Sequence, residues 1–419
     1  MKKVFAMALS AICLFGCDCI DCGQEVFSVS PGNFYFHADY MGGTVIVTSS
    51  YNWTAQINHP SISLTAMEGA GGITTLTLTL SADFDPKMDL ADPDNPLVGT
   101  VYFTSNDGRT AKVDVFYISK GVPLKGGPFM MGYTGDLDAD KRGGLNSTLN
   151  GLRPAYPRHE VKLSPFRIGI FEVTVAEYAA FLNTTGVGGI TAGSDENGPY
   201  ISGRINGVMQ PMFYPCDWNL IWTGTQWVPC AHTSDGDYGK YPMNNVTWAG
   251  ALAYAKWVGG TLPTEAQWEY ACRADDAVGT SFPGGNGKSS LRPYAVFDED
   301  ATPGDGTISL NVQLKPVGTK QVNGFGLYDV YGNVWEWCLD TWNGERLYNN
   351  GTAYSNVPID PVVTTDGTYH ARRGGAFTSP FVQCDAAFRN HKPNPSKKNT
   401  PSDPGLSFSD IGFRVVWPM

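Results

Sequence analysis

Charge is scarce in this chain, and positive charge scarcer still. Of its 419 residues 16% are charged, and 29 Lys and Arg stand against 40 Asp and Glu, a formal net charge of −11. An acidic surface repels phosphates, so nucleic acid is excluded as a natural partner. Histidine is equally thin: six residues, none in H-x-H or H-E-x-x-H spacing, which excludes the common zinc hydrolase arrangements. No Ser-His-Asp order and no glycine-rich phosphate loop is present. The one long apolar run, Val4 to Phe15, is too short for a comfortable membrane span. Cysteine is missing between Cys22 and Cys216. What remains is 42% hydrophobic, the content of a globular protein, on a chain long enough for two domains.

The first residues have the layout of an export signal. Lys2 and Lys3 precede the apolar run, and Leu14-Phe15-Gly16-Cys17 resembles a bacterial lipobox. The resemblance implies a signal peptide over 1–16, lipid on Cys17, and a tether over 17–24 that includes Cys19 and Cys22. An ordinary signal peptide is the alternative. Asp18 and Asp21 resemble surface-export signals of Gram-negative lipoproteins. The expected location is the outer membrane of such a cell, facing outward. Cys216 and Cys230 flank the hairpin pattern WNLIWTGTQWVP, and in an oxidising compartment they are a possible disulfide. A Gly224-Thr225 turn would set Cys230 opposite Asn219, three residues from Cys216, so the pairing stays open. Cys272 and Cys338 sit among large apolar residues and are expected to be buried.

Residues 25–120 alternate like strands. Thr44–Thr48, Trp53–Ile57 and the Leu76, Leu78, Leu80 series are three such runs, and Asn106-Asp107-Gly108 is a turn signal between Val101–Phe103 and Val113–Tyr117. The expectation is an all-β antiparallel sandwich. It resembles the BACON domain of Bacteroidetes surface proteins, through GGTVIVTSSYNWTAQI and GTVYFTSNDGRTAKVDVFYIS. Residues 121–127 read as a linker. Beyond it, Thr174-x-x-Glu177, Thr247 and Thr264-x-x-Gln267 are caps that should open three helices. Abundant Gly (49) and Pro (28) point to a loop-rich α+β fold.

Four strings in the second part carry a resemblance. Leu262-Pro263-Thr264-Glu265-Ala266-Gln267-Trp268-Glu269, the stretch GFGLYDVYGNVWEWCLD from Gly324, Arg373-Gly374-Gly375, and Gly412-Phe413-Arg414 are together similar to the formylglycine-generating enzymes, the sulfatase-modifying oxidases with a C-type-lectin-like fold. The resemblance covers 128–419. It implies an oxidase that holds copper between two cysteine thiolates, soft ligands suited to Cu(I). Counting from Gly374, those positions are Ser379 and Cys384, and a substrate-contacting serine is replaced by Ala376. A serine hydroxyl is a poor Cu(I) ligand, so copper is not expected and no catalytic residue is assigned. Cys384 is read as a remnant. The resemblance also implies calcium beside the Gly-Asn-x-Trp-Glu-Trp string, held by the carboxylates of Asp329 and Glu336 and the carbonyls of Gly332 and Val334. The alternative is that Glu336 only bonds buried neighbours.

Three functions follow. The first is a lipid-anchored surface protein whose lectin-like head binds a glycan or protein ligand and acts in adhesion, in one version a retroelement-diversified binder varied over Ala376 to Asp410. The second is an oxidase with rebuilt metal ligands. The third is a structural part of a surface complex. For the first, the expected contacts are Thr378, Ser379, Phe381, Gln383, Asp385, Asn390 and His391, with Trp342 at the rim and Phe381 as anchor.

Overall fold

The computed structural model describes residues 25–30, 33–36, 42–84, 97–117, 121–133, 155, 158–185, 191–195, 198–205, 208–232, 236–274, 280–300, 313–342, 357–364, 369–393 and 410–419. Residues 1–24, where a signal and tether were expected, lie outside these, Cys17 among them. The chain divides into two compact units, Met1–Ser119 and Lys120–Met419.

In the first unit, period-two alternation puts every second apolar side chain on one face. Leu76, Leu78 and Leu80 are buried while the intervening threonines are not. A four-stranded sheet takes Phe27–Ser30, Gly42–Ser49, Gly72–Leu80 and Ile62–Leu64 in spatial order. A five-stranded sheet takes Asn33–Phe36, Thr110–Tyr117, Leu97–Ser105, Trp53–Ile57 and Glu68–Gly69. Side chains of both sheets, including Val45, Leu78, Trp53, Phe103 and Val113, share one apolar cluster. The turn after Ser105 closes where Gly108 adopts φ +88°, a conformation that glycine takes without strain. One pairing departs from the antiparallel expectation. Asn33–Phe36 runs parallel to Asp114–Tyr117, because the preceding strand Phe27–Ser30 belongs to the other sheet and the chain changes sheets between them.

The second unit is rich in short strands and holds few helices. Residues 121–127 are not the expected linker. Val122–Leu124 is an edge strand paired with Phe166–Ile168, which pairs in turn with Val416–Pro418. Pro123, which removes a backbone donor, is tolerated at a sheet edge. Helix α1 (Val175–Thr185) opens on the reciprocal Thr174–Glu177 bonds and buries Val175, Tyr178, Phe181 and Leu182. Helix α2 (Trp248–Trp257) is capped by Thr247, whose side chain accepts from the Gly250 amide at 3.0 Å. It turns Ala251, Leu252 and Ala255 inward and leaves Trp248 half-buried. Helix α3 (Glu265–Arg273) has a complete capping box from Thr264 and Gln267 and buries Trp268, Ala271 and Cys272. Against α3 lies a four-stranded sheet in the order Asn390–Pro393, Tyr369–Arg373, Trp335–Trp342, Ile411–Gly412. This sheet carries three of the sequence motifs side by side, with Glu336 opposite Arg373 and Gly412 beside Glu336. Cys272 and Cys338 are buried, as expected.

The Leu220–Trp222 and Trp227–Pro229 hairpin has the expected register, and Cys230 N–H donates to Asn219 O. The possible Cys216–Cys230 disulfide is not formed: both are free thiols, and the Cys230 sulfur lies 3.5 Å from the carbonyl oxygen of Cys216. The register offers Cys230 a backbone partner rather than the other sulfur.

Thr264→Ala should lose one arm of the capping box at the start of α3, the bond from the Gln267 amide to the threonine hydroxyl, while the residue-264 amide keeps its bond to the Gln267 side chain. The expected cost is about 1 kcal/mol, within the range for a capping threonine. Urea denaturation of the purified chain measures it, and an unchanged midpoint would show that the box contributes nothing.

Candidate functional site

Three buried arginines organise the region where the motifs meet. Arg373, on Tyr369–Arg373, reaches α3: its Nη2 lies 2.6 Å from Glu269 Oε2 and its Nε 3.0 Å from Glu265 Oε2. Its Nη1 donates to the carbonyls of Ala386 and Phe388, pinning the segment that follows the double glycine. Arg389 returns to Glu265 with two bonds, 2.8 and 2.7 Å, and stacks over Trp342 at 4.5 Å. Burial pushes Glu265 and Glu269 up, but the adjacent guanidiniums outweigh it and hold both carboxyls below their ordinary range. Glu265 and Glu269 are four apart on one helix face, a spacing visible in the Leu-Pro-Thr-Glu string and not used as a site signal above.

Arg414 is the third. Its Nε and Nη2 form a fork onto Glu336 at 2.7 and 2.6 Å, and its remaining donors reach the carbonyls of Gly169, Ile170 and Tyr328. Trp268 Nε1 donates to Glu336 Oε2 at 2.7 Å. Both Glu336 oxygens are thus bonded. Asp329 accepts the Gly318 amide on Oδ2, while its buried Oδ1 has no hydrogen-bond partner. Burial raises Asp329 to about 6. Glu172, also buried, is pushed well up by desolvation and then by the charges of Asp329 and Glu336; its oxygens accept from Asn333 Nδ2 and the Val334 amide.

At the positions expected to hold calcium both carboxylates are buried. Asp329 keeps one open oxygen, but Glu336 is committed to Arg414, whose fixed positive charge sits against the carboxylate an ion would need. Among the described residues no group of three or more His, Cys, Asp or Glu is arranged to hold a metal. Gly332 serves the turn instead: at φ +78° a Cβ there would lie 2.2 Å from the Val296 carbonyl oxygen. Val334 is buried in the apolar core.

The copper expectation is tested at Ser379 and Cys384. Ser379 is buried, its Oγ accepts the Ala376 amide at 3.0 Å, and its carbonyl accepts the Asp298 amide at 2.9 Å. It closes a turn. Cys384 ends a short 3-10 turn, Phe381–Cys384, fully buried against Gly375, where a Cβ would meet its sulfur at 2.6 Å. Burial drives its thiol far above the ordinary value, so it is neutral. One neutral thiol and one engaged hydroxyl do not fit Cu(I).

The expected ligand contacts divide. Thr378, Phe381, Gln383 and Asn390 are partly exposed. Phe381 lies beside Phe282 and under the Lys288 ammonium, 5.6 Å from its ring centre. Ser379 and Asp385 are corrected: Asp385 is buried, accepting Ser281 Oγ at 2.6 Å and the Ala387 amide at 2.8 Å, because a turn without regular pairing needs side-chain acceptors. Trp342 is corrected too, being buried beneath Arg389 rather than standing at a rim. Phe388, in the same segment, packs inside near Trp335. His391 pairs opposite Ala371 in the sheet, and its side chain lies outside the described residues. Sequence reading missed a partly exposed cluster beside Thr378, where Asp410 Oδ2 accepts the Thr378 hydroxyl at 3.4 Å and Asp410 Oδ1 is 3.6 Å from Arg372, itself stacked over Trp335.

Comparison with known proteins agrees with these motifs. The sequence model of the sulfatase-modifying factor enzyme 1-like domain matches residues 109–419. The chain belongs to that family. It is 31% identical over 314 residues to the formylglycine-generating enzyme of Thermomonospora curvata, covering 71% of this chain and 94% of that one. It is 28% identical over 326 residues to the formylglycine-generating enzyme of Mus musculus, covering 74% and 78%. Among solved structures, PvdO from Pseudomonas aeruginosa aligns with a TM-score of 0.45 at 25% identity, over 71% of this chain and 93% of that one.

The buried charges generate predictions at two places, the Glu336 cluster and Asp340. Arg414→Met should leave Glu336 without its counter-charge and cost about 3–5 kcal/mol, the penalty for half of a buried pair. In the intact chain, calcium against chelator should leave the melting temperature unchanged; a rise of several degrees with calcium would show that the open Asp329 oxygen recruits the ion. The second concerns Asp340, buried and accepting the Glu265 and Val363 amides. Burial, and then the Glu265 charge, raise its carboxyl to about 7. A folded-state value above the unfolded one favours the folded state at low pH, and that contribution is lost as pH rises through about 7. Melting temperature should therefore fall between pH 5 and pH 8, and Asp340→Asn should flatten that slope. An equal slope in both proteins would contradict the assignment.

Proposed function

We propose that this chain is a cell-surface lipoprotein whose family head binds a glycan or protein ligand and does not oxidise peptidyl cysteine. The observation that carries the reading is Ser379. Its hydroxyl stands where a thiolate is required and is spent on the Ala376 amide. Cys384, the remaining thiol, is buried and neutral. Support for the anchor is the Leu14–Cys17 string, and the N-terminal β unit is read as a BACON-type spacer. The outer membrane, facing outward, is the proposed location. The binding face uses Thr378, Phe381, Gln383, Asn390 and His391. Phe381 remains the anchor, with one face taken by Lys288 and the rest half-exposed.

An oxidase is the second reading, favoured by 31% identity across 94% of a formylglycine-generating enzyme. One assay separates them. A Cys-x-Pro-x-Arg peptide incubated with the protein, copper and oxygen should keep its mass. Conversion that disappears in Cys384→Ser would restore the oxidase. For the binding reading, the full chain is screened against immobilised mucins and glycans, with Phe381→Ala as the variant expected to weaken retention.

A further inference from the structure

Away from the motif region, one hairpin is built differently from the rest of the unit. Apart from the aliphatic group Val357, Ile359 and Val362, exposed large apolar side chains outside the hairpin are scattered singly along the described residues, as on any surface. Between Cys216 and Cys230 three fall within five positions: Trp218 (46% exposed), Ile221 (45%) and Trp222 (37%). Trp222 leans on the buried Trp227 with ring centres 5.4 Å apart, so its inner edge is packed and its outer part open.

The backbone beneath these rings is held rigidly. Asn183 of α1 accepts the Trp227 amide at 2.8 Å and donates to the Trp227 carbonyl at 2.9 Å. Asn219, fully buried, accepts the Cys216 amide and donates to the carbonyls of Tyr214 and Asn244. Asn244 Nδ2 donates to the Trp218 carbonyl at 3.2 Å. Thr223 closes the turn through its hydroxyl and backbone. Three asparagine side chains thus fix the positions from which Trp218 and Trp222 project. A fixed display lowers the ordering cost of binding.

The chemistry around the rings narrows the ligand. Residues 211–231 contain no Lys, Arg or His and one acid, Asp217. Phosphate- or sulfate-bearing ligands have no counter-charge there. The exposed neighbours Thr225 and Gln226 offer a hydroxyl and a side-chain amide beside the indoles. Eight exposed hairpin residues are too few for a stable protein interface, which takes roughly 20–30 residues a side. Flat indole faces beside neutral donors and acceptors match a sugar ring, apolar on its C–H face and polar at its edge.

We infer that the Cys216–Cys230 hairpin is a subsite for an uncharged oligosaccharide, with Trp218 and Trp222 as its stacking residues. The inference rests on the reading of the head as a glycan binder and adds a site separate from the Phe381 face.

The test uses the full chain and three neutral probes, cellohexaose, mannohexaose and chitohexaose, by titration calorimetry. At least one should bind. Trp218→Ala and Trp222→Ala should each weaken it at least tenfold in a chain that still melts cooperatively, the Trp222 variant at a lower temperature because it gives up its contact with Trp227. Met209→Ala, an exposed apolar side chain outside both the hairpin and the Phe381 face, should change it less than twofold. Full affinity in both tryptophan variants overturns the inference, as does binding of none of the three probes. Loss on Phe381→Ala alone overturns it while leaving the proposed function standing, as does retention on mucin without binding of any neutral probe. Trp222-dependent sedimentation with phosphatidylcholine vesicles, without probe binding, would assign the hairpin to a lipid surface instead.

Discussion

The second unit depends on buried arginine–carboxylate pairing. Arg373, Arg389 and Arg414 are all but removed from water; Arg389 and Arg414 each fork onto one carboxylate, and Arg373 bridges two. Burying one such charge unpaired would be prohibitive; pairing makes it tolerable and directional. The direction is what matters here. Short strands and irregular turns bury too little regular backbone to fix their own positions, and the guanidinium forks supply the missing constraints by bonding carbonyls as well as carboxylates. Arg414 ties Gly169, Ile170 and Tyr328 to Glu336, and Arg373 ties Ala386 and Phe388 to α3.

That framework is independent of the chemistry it once could have served. The segment from Gly375 to Asn390 keeps its path because Arg373, Ser281 and the Ser379 turn hold it. None of these bonds needs a thiolate. The scaffold therefore stands with a hydroxyl at position 379 that bonds the Ala376 amide. Glu336 is held the same way, with both oxygens bonded to Arg414 and one also to Trp268.

Much of the fold was legible because its signals are local. Capping boxes at Thr174 and Thr264 place two helices from four residues each, and the Leu76–Leu80 alternation declares its buried face. The Gly224-Thr225 turn gave the hairpin register. The misses were long-range. Glu265 meets Arg389 across 124 positions, and no local pattern announces it. Asp385 and Ser379 looked like free polar loop residues, yet an irregular turn consumes such side chains to satisfy its own amides. Val122–Leu124 looked like a linker because Gly and Pro surround it, and only its partner strand reveals the edge.

The parallel pair in the first unit has a mechanical consequence. Asn33–Phe36 lies near the start of that unit and Asp114–Tyr117 near its end, side by side and running the same way. Tension between the two ends pulls these neighbours in opposite directions along their length. Once the short leading strand Phe27–Ser30 has yielded, the remaining bonds are loaded together, in shear, rather than opened one at a time like a zip. A chain held at one end and gripped at the other would meet its resistance there.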